Sequence, residues 1–197
     1  MTEHQTMQFE KIMKLYGEWN EKINVISRKD IDNLETNHIL HSLSIGKFLN
    51  PRSGTSFIDV GTGGGFPGIP MAIMYPECRF HLIDRIGKKI KVATSIAEEI
   101  GLKNVTFQHG DLGECHQKFD YVISRAVMSL PDLLKISRRN VLGKQSGNAY
   151  PNGIIVLKGG DLREELKGVG MEYFVEDLSL WFKEDYFATK KLIYVPI

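Results

Sequence analysis

Cysteine is scarce in this chain, and its scarcity excludes two chemistries. Only Cys78 and Cys115 occur among 197 residues, with no paired spacing for zinc or a redox motif, so no metal is expected and both read as small, partly buried thiols. An excess of one charge is missing too. The formal net charge of +1 gives no global attraction to polyanions, so any nucleic-acid partner must be held by a local basic face. No apolar run approaches the ~20 residues of a membrane span. The start, Met1-Thr2-Glu3-His4-Gln5, lacks the charged-then-apolar pattern of a signal peptide, which predicts a cytoplasmic protein with no membrane partner. There is no internal repeat. The length suits one α/β domain, with a helical extension over 1–54 packed on a core over 55–197.

What the chain has in abundance is glycine in one place. Asp59-Val60-Gly61-Thr62-Gly63-Gly64-Gly65-Phe66-Pro67-Gly68 follows the short apolar run Ser56-Phe57-Ile58 and precedes a segment able to start a helix, with Pro70 tolerated in a first turn. Glycines supply positive backbone angles and let a ligand approach the main chain. Two ligands fit. Gly63-x-Gly65-x-x-Gly68 has dinucleotide spacing, with Asp84 at the end of a later strand as a ribose partner. The acidic Asp59 ahead of Gly61-x-Gly63-x-Gly65 fits S-adenosylmethionine better, because dehydrogenases more usually carry an apolar residue at that place.

Around the loop, periodicity predicts two helices before the first strand. Phe9, Ile12, Met13 and Tyr16 mark the first, and Ile31, Leu34, Ile39, Leu40, Leu43 and Phe48 the second, with Ser27 or Asp30 as its cap. Strands and helices then alternate: strand 79–84, helix 88–100 closed by Gly101, strand 105–108, strand 119–124, helix 130–140 and strand 154–158. After a short helix near 161–167, two β-type segments in the tail suggest an antiparallel pair. This order predicts a doubly wound sheet with a closing hairpin. Residues 143–153, rich in Gly, Asn, Ser and Gln, read as a mobile surface loop.

In such a sheet ligands sit beyond the carboxyl ends of the strands. Asp84 there can accept two ribose hydroxyls. Asp111 can take an adenine amino group while Leu112 covers the ring. Arg125 ends the fourth strand where cofactor and substrate should meet, and Lys158 ends the fifth, needing solvent, a partner or an anion. Arg28, Lys29, Arg85, Lys88, Lys89 and Lys158, with Arg125, are candidates for a basic rim that would hold RNA phosphates. Each has an alternative as a capping, paired or solvated residue, and His38 reads as a helix residue bonded within the fold.

The ordered set Trp19-Asn20, Asn24-Val25-Ile26-Ser27, His38-Ile39-Leu40-x-Ser42, the Asp59 to Pro70 loop, Leu82-Ile83-Asp84-x-x-Gly87-Lys88-Lys89, Val122-Ile123-Ser124-Arg125-Ala126 and Leu157-Lys158-Gly159 resembles the RsmG (GidB) family. These are bacterial methyltransferases acting on N7 of a guanine in 16S small-subunit ribosomal RNA. The resemblance implies a Rossmann-like class I fold with a mostly parallel seven-stranded sheet and C-terminal antiparallel hairpin. It also implies S-adenosylmethionine as cofactor, S-adenosylhomocysteine as product, and ribosomal RNA or an assembling small ribosomal particle as partner of a monomer. By position it implies that Gly61 and Phe66 contact the cofactor, that Asp84 lies by its ribose, that Arg125 lines the site and that Leu112-Gly113 packs beside the adenine. The residues themselves add Asp59, Gly63, Gly65 and Asp111 as cofactor candidates, and Arg125 and Lys158 as positioning candidates. Two positions depart from the family. Gly113 stands where an acidic residue is common, leaving Asp111 or Glu114 as substitutes, and His41 stands where an aspartate is usual.

The chemistry agrees with what is missing. Guanine N7 has an in-plane lone pair and no proton, so alignment and desolvation suffice without an acid or base. Neither cysteine ends the fourth or fifth strand, as cytosine C5 chemistry would require. Ser124-Arg125-Ala126 replaces the Asn/Asp-Pro-Pro-aromatic turn that often accompanies amine methylation. Lys158 keeps a ribose 2′-hydroxyl target open. A nicotinamide-dependent oxidoreductase and a non-catalytic nucleotide- or RNA-binding module are the remaining readings.

Overall fold

The structure, a computed structural model, describes residues 1–27, 30–125 and 127–197. Arg28, Lys29 and Ala126, named above, lie outside the described residues. The sheet has seven strands: β1 (Ser56–Val60), β2 (Arg79–Asp84), β3 (Val105–His109), β4 (Tyr121–Arg125), β5 (Gly153–Gly159), β6 (Phe174–Asp177) and β7 (Lys190–Pro196). Their spatial order is β3-β2-β1-β4-β5-β7-β6. The first five run parallel, while β7 lies antiparallel to both β5 and β6. Chain order reverses between β1 and β4, which opens a crevice at their carboxyl ends, where ligands bind in such sheets.

The strands are apolar because both faces are covered. Phe57, Leu82, Tyr121 and Ile155 face one helical layer; Ile58, Ile83, Val122 and Ile154 face the other. The tail differs from a tight hairpin, since two 3-10 turns (Leu178–Leu180 and Asp185–Thr189) separate β6 from β7. Leu178 and Phe187 in those turns are fully buried, so the excursion is anchored by its apolar residues. Gly153 has to be small for β7 to pair there. A Cβ would come 2.4 Å from the Val195 carbonyl oxygen and 2.8 Å from the Tyr194 ring. Gly153→Ala is expected to lower stability by about 1–3 kcal/mol, read from chemical denaturation.

Helix α1 (Glu3–Lys22) begins with a reciprocal cap between Thr2 and Gln5. Its inward polar residues carry it onto the core. Gln5 donates to the carbonyls of Ile73 and Met74, and Gln8 to that of Ile100, satisfying the free carbonyl ends of α3 (Gly68–Met74) and α4 (Gly87–Glu99). The second expected helix is composite: a 3-10 turn (Ile31–Asn33), a π-helical segment (Glu35–Leu40), then α2 (His41–Leu49). Among the described residues neither proposed cap forms. Asp30 makes no capping bond, because its carboxylate accepts instead from the Ser27 hydroxyl and the Asn37 amide. α4 ends as expected, with Gly101 at φ 74°. Helix α5 (Leu130–Ser137) is shorter than expected, passing into a 3-10 turn over Arg138–Asn140.

The segment 143–153 is tied down, contrary to its reading as mobile. Asn152, fully buried, donates to the Leu142 and Lys144 carbonyls and accepts from the Ser146 hydroxyl. Asn148 accepts from the Arg52 backbone and bonds Thr55, and Tyr121 and Tyr194 donate to the carbonyls of Tyr150 and Pro151. The polar composition that signals a loop also supplies the bonds that fix it.

Candidate active site

The glycine loop leaves β1 with Gly61, Gly63 and Gly65 at φ 69°, 59° and 110°, a conformation that side chains resist. The Gly61 and Thr62 amides donate to the Ile83 carbonyl, which joins the loop to the end of β2. Beneath it lies Asp59, fully buried, whose Oδ2 accepts from the Thr62 hydroxyl at 2.6 Å and the Gly68 amide at 2.8 Å. Burial pushes its carboxyl up to about 7, against the opposing effect of those two donors. Asp59 therefore braces the loop and does not line the cavity above it, a correction to its place among the cofactor ligands. Gly65 is likewise absent from the lining; a Cβ there would meet Ile69 at 2.4 Å.

Tyr16 is the brace that sequence reasoning placed only in the core. Its hydroxyl donates to the Gly64 carbonyl at 2.7 Å, and its ring lies 4.6 Å from that of Phe66. Helical spacing marks Tyr16 as buried; nothing local in the sequence says that its polar tip reaches the glycine loop.

Above the loop, at the point where strand order reverses, is a cavity of about 540 Å³, within the range of small-ligand sites. Gly61, Gly63 and Phe66 line it, together with Ile83 and Asp84 from β2, Leu112, Arg125 from β4, and Val127, Met128 and Ile136 beyond. Asp84 accepts from the Gly63 amide through Oδ2 and the Ile86 amide through Oδ1, both at 2.8 Å. Each oxygen keeps a lone pair for a ligand.

Asp111 is not in this lining. It pairs with Arg85 and accepts from the Gly113 amide at 2.7 Å, capping the turn Leu112–Glu114. The Gly113 amide, and then Arg85, hold its carboxyl below the usual range. Glu114 reaches back to the Asp111 amide, and Gly113 offers its carbonyl to Arg139. The acidic substitutes are thus engaged within the turn itself, and of these residues only Leu112 reaches the cavity.

Arg125 is the charged group at the other flank of β1. Its Nη1 donates to the Asn37 carbonyl at 3.1 Å, its Nη2 to His38 Nδ1 at 2.7 Å, and the guanidinium lies 5.2 Å from the Phe66 ring centroid. No carboxylate pairs with it among the described residues. Such a desolvated cation calls for an anionic or strongly accepting ligand. His38 is pushed down to about 3 by burial and then by Arg125. His41, the departure from the family, is buried away from the cavity lining; its Nδ1 lies 3.1 Å from the Tyr186 hydroxyl, and burial pushes it to about 3.

Lys158 is a second correction. Its ammonium bonds Glu165 at 2.8 Å and the Met128 carbonyl, with a largely buried side chain, so it ties β5 to α6 (Arg163–Lys167) rather than facing RNA or a reacting hydroxyl. Of the basic rim, Arg85 and Lys89 border the cavity and Lys88 is exposed. Arg125 belongs to the site itself. Both cysteines are buried and outside the lining.

Sheet order, glycine loop and cavity define a Rossmann-like α/β protein with the architecture of methyltransferases. Among solved structures, precorrin-6y C5,15-methyltransferase from Geobacter metallireducens is similar at TM-score 0.59 and 14% identity, over 89% of this chain and 92% of that one. The [4+2]-cyclase SpnF has the same TM-score at 16% identity, over 81% of each chain. These likenesses concern the fold alone. Sequence is more specific. The family described as rRNA small subunit methyltransferase G (GidB) matches residues 5–186. A curated relative of that name from Phocaeicola vulgatus is 56% identical over all 197 residues and 94% of its own length. One from Bacteroides thetaiotaomicron is 54% identical over 95% of its length. The chain belongs to the rRNA small subunit methyltransferase G family.

Proposed function

We propose that this protein transfers the methyl group of S-adenosylmethionine to N7 of a guanine in small-subunit ribosomal RNA. The observation that carries the reading is the cavity at the β1/β4 switch point, flanked by a carboxylate with spare lone pairs, Asp84, and a desolvated guanidinium with no carboxylate partner among the described residues, Arg125. These residues fit the cofactor. Asp84 would accept its ribose hydroxyls, Leu112 and Ile83 would cover the adenine, and Arg125 would meet the carboxylate of its amino-acid end. Bound there, the cofactor supplies an electrophilic methyl on a sulfonium centre.

The protein's part is then to exclude water and align. Phe66, Val127 and Met128 contribute apolar surface to the cavity lining, which would help to desolvate an incoming base. No histidine or cysteine lines the cavity, in keeping with a nucleophile that has no proton to lose. A ribose 2′-hydroxyl target would need a free base, and Lys158 is held by Glu165 and a carbonyl. The dinucleotide reading also weakens. Family membership points to methyl transfer. Arg85, Lys88 and Lys89 would hold phosphates around the mouth. The exposed Arg85–Asp111 pair is weak enough for a phosphate to displace the carboxylate.

Transfer of labelled methyl groups to unmodified small-subunit RNA, free and in assembling particles, followed by nucleoside identification, tests the reading. The expected product is 7-methylguanosine. Label at another atom overturns the assignment, and cofactor binding without any transfer would make the protein a binding module.

A further inference from the structure

We propose that Tyr186, which lies outside the cavity lining, is a positioning residue: through the Asn37 carbonyl it sets where the Arg125 guanidinium meets the carboxylate of the cofactor's amino-acid end. This rests on the reading that Arg125 takes that carboxylate. The guanidinium pairs with no carboxylate of the protein among the described residues, so neutral acceptors must hold it in place. Its Nη1 donates to the Asn37 carbonyl at 3.1 Å and its Nη2 to His38 Nδ1 at 2.7 Å. Both acceptors belong to the π-helical segment Glu35–Leu40, so where that segment sits decides where the cation sits.

Tyr186 ties the same segment to the far end of the chain. It stands in the 3-10 turn Asp185–Thr189, next to the fully buried Phe187. Its hydroxyl donates to the Asn37 carbonyl at 3.0 Å. A carbonyl oxygen has two lone pairs; Tyr186 occupies one and Arg125 the other, which fixes how the Asn37 peptide is turned. The hydroxyl is itself held. Its one proton goes to Asn37, so His41 Nδ1, 3.1 Å away, must donate to it. That places the His41 proton on Nδ1 and leaves its buried Nε2 as an acceptor without a partner among the described residues. The Lys190 ammonium lies over the Tyr186 ring, 4.4 Å from its centroid. The chain of bonds from His41 through Tyr186 and Asn37 to Arg125 thus joins the β6–β7 excursion to the cavity.

Calorimetry with two ligands tests this: S-adenosylhomocysteine, and 5′-methylthioadenosine, which has the same adenosine and sulfur but no amino-acid end. Tyr186→Phe keeps the ring beside His41 and Lys190 and removes only the hydroxyl. It is expected to weaken S-adenosylhomocysteine by roughly 3- to 10-fold, the effect of one neutral hydrogen bond, and to leave 5′-methylthioadenosine within about twofold. Arg125→Ala should weaken S-adenosylhomocysteine by about tenfold or more and leave 5′-methylthioadenosine within about threefold. Arg125→Met, closer in length, repeats that comparison with the space kept filled. In either Arg125 background Tyr186→Phe should change neither affinity by more than about twofold, because the two residues act as one unit. Equal losses on both ligands, a loss of the same size without Arg125, or wild-type affinities in Tyr186→Phe would each overturn the inference. Arg125 variants that leave both affinities unchanged, or lower both alike, would instead overturn the carboxylate contact beneath it.

Discussion

Asp59→Ala is expected to lower folding stability by about 2–5 kcal/mol and to abolish cofactor binding, because it leaves the Thr62 hydroxyl and the Gly68 amide buried without an acceptor. Each orphaned donor costs about 1–3 kcal/mol; relief of the carboxylate's own desolvation offsets only part of that. Thermal and chemical denaturation measure the loss, and a variant as stable as wild type would remove the bracing role. The pH dependence has a definite sign. The folded-state pKa is raised to about 7, above the unfolded value of about 4, so the folded protein holds this proton more tightly. The part of Asp59's contribution linked to its proton is fully present below about pH 4, falls as pH rises between the two values, by at most about 1.4 kcal/mol per pH unit, and is gone above the folded pKa. Asp59→Asn should flatten the stability profile between about pH 4 and 7; a profile identical to wild type would show that the carboxyl does not titrate there.

Asp84→Ala is expected to weaken S-adenosylhomocysteine binding by about 1–3 kcal/mol, some 5- to 150-fold, through lost hydrogen bonds to a charged acceptor. Asp84 also holds the Gly63 and Ile86 amides, so the loop loses order together with the ligand contact. Asp84→Asn separates the two effects. It keeps one acceptor for the Gly63 amide while removing the charge and the second acceptor, and should fall between alanine and wild type. Calorimetry reads the affinity, and denaturation of the free protein reads the loop's share. Wild-type affinity in the alanine variant would sink the proposed ribose contact.

Much of the architecture was legible locally. The strand at 79–84 and the glycine closing α4 follow from alternation and from the positive φ at Gly101. The composite second helix was not, since amphipathic spacing alone does not separate a π segment from an α-helix over so few residues. Nor was the order of 143–153, because asparagine marks a loop whether its amide meets solvent or, as at Asn152, the surrounding carbonyls. In the site, Gly61, Phe66, Asp84, Leu112 and Arg125 do gather around one cavity. The neighbours that set their behaviour come from far along the chain: Tyr16 under the loop, and Asn37 and His38 against Arg125.

By itself the sequence determined the strand–glycine loop–helix unit, the alternating order of elements and the family, because period, glycine placement and motif order are properties of short segments. Only the tertiary structure decided which carboxylates and cations are free for a ligand. Asp59 lies one residue inside β1, under the start of α3, whereas Asp84 is the last residue of β2 and borders the cavity. Lys158 and Arg125 both sit at or near strand ends, yet Glu165 comes within reach of one and no carboxylate among the described residues pairs with the other. The physical reason is that a charged group's role depends on which partner it meets after burial, and those partners are brought together by packing across the fold.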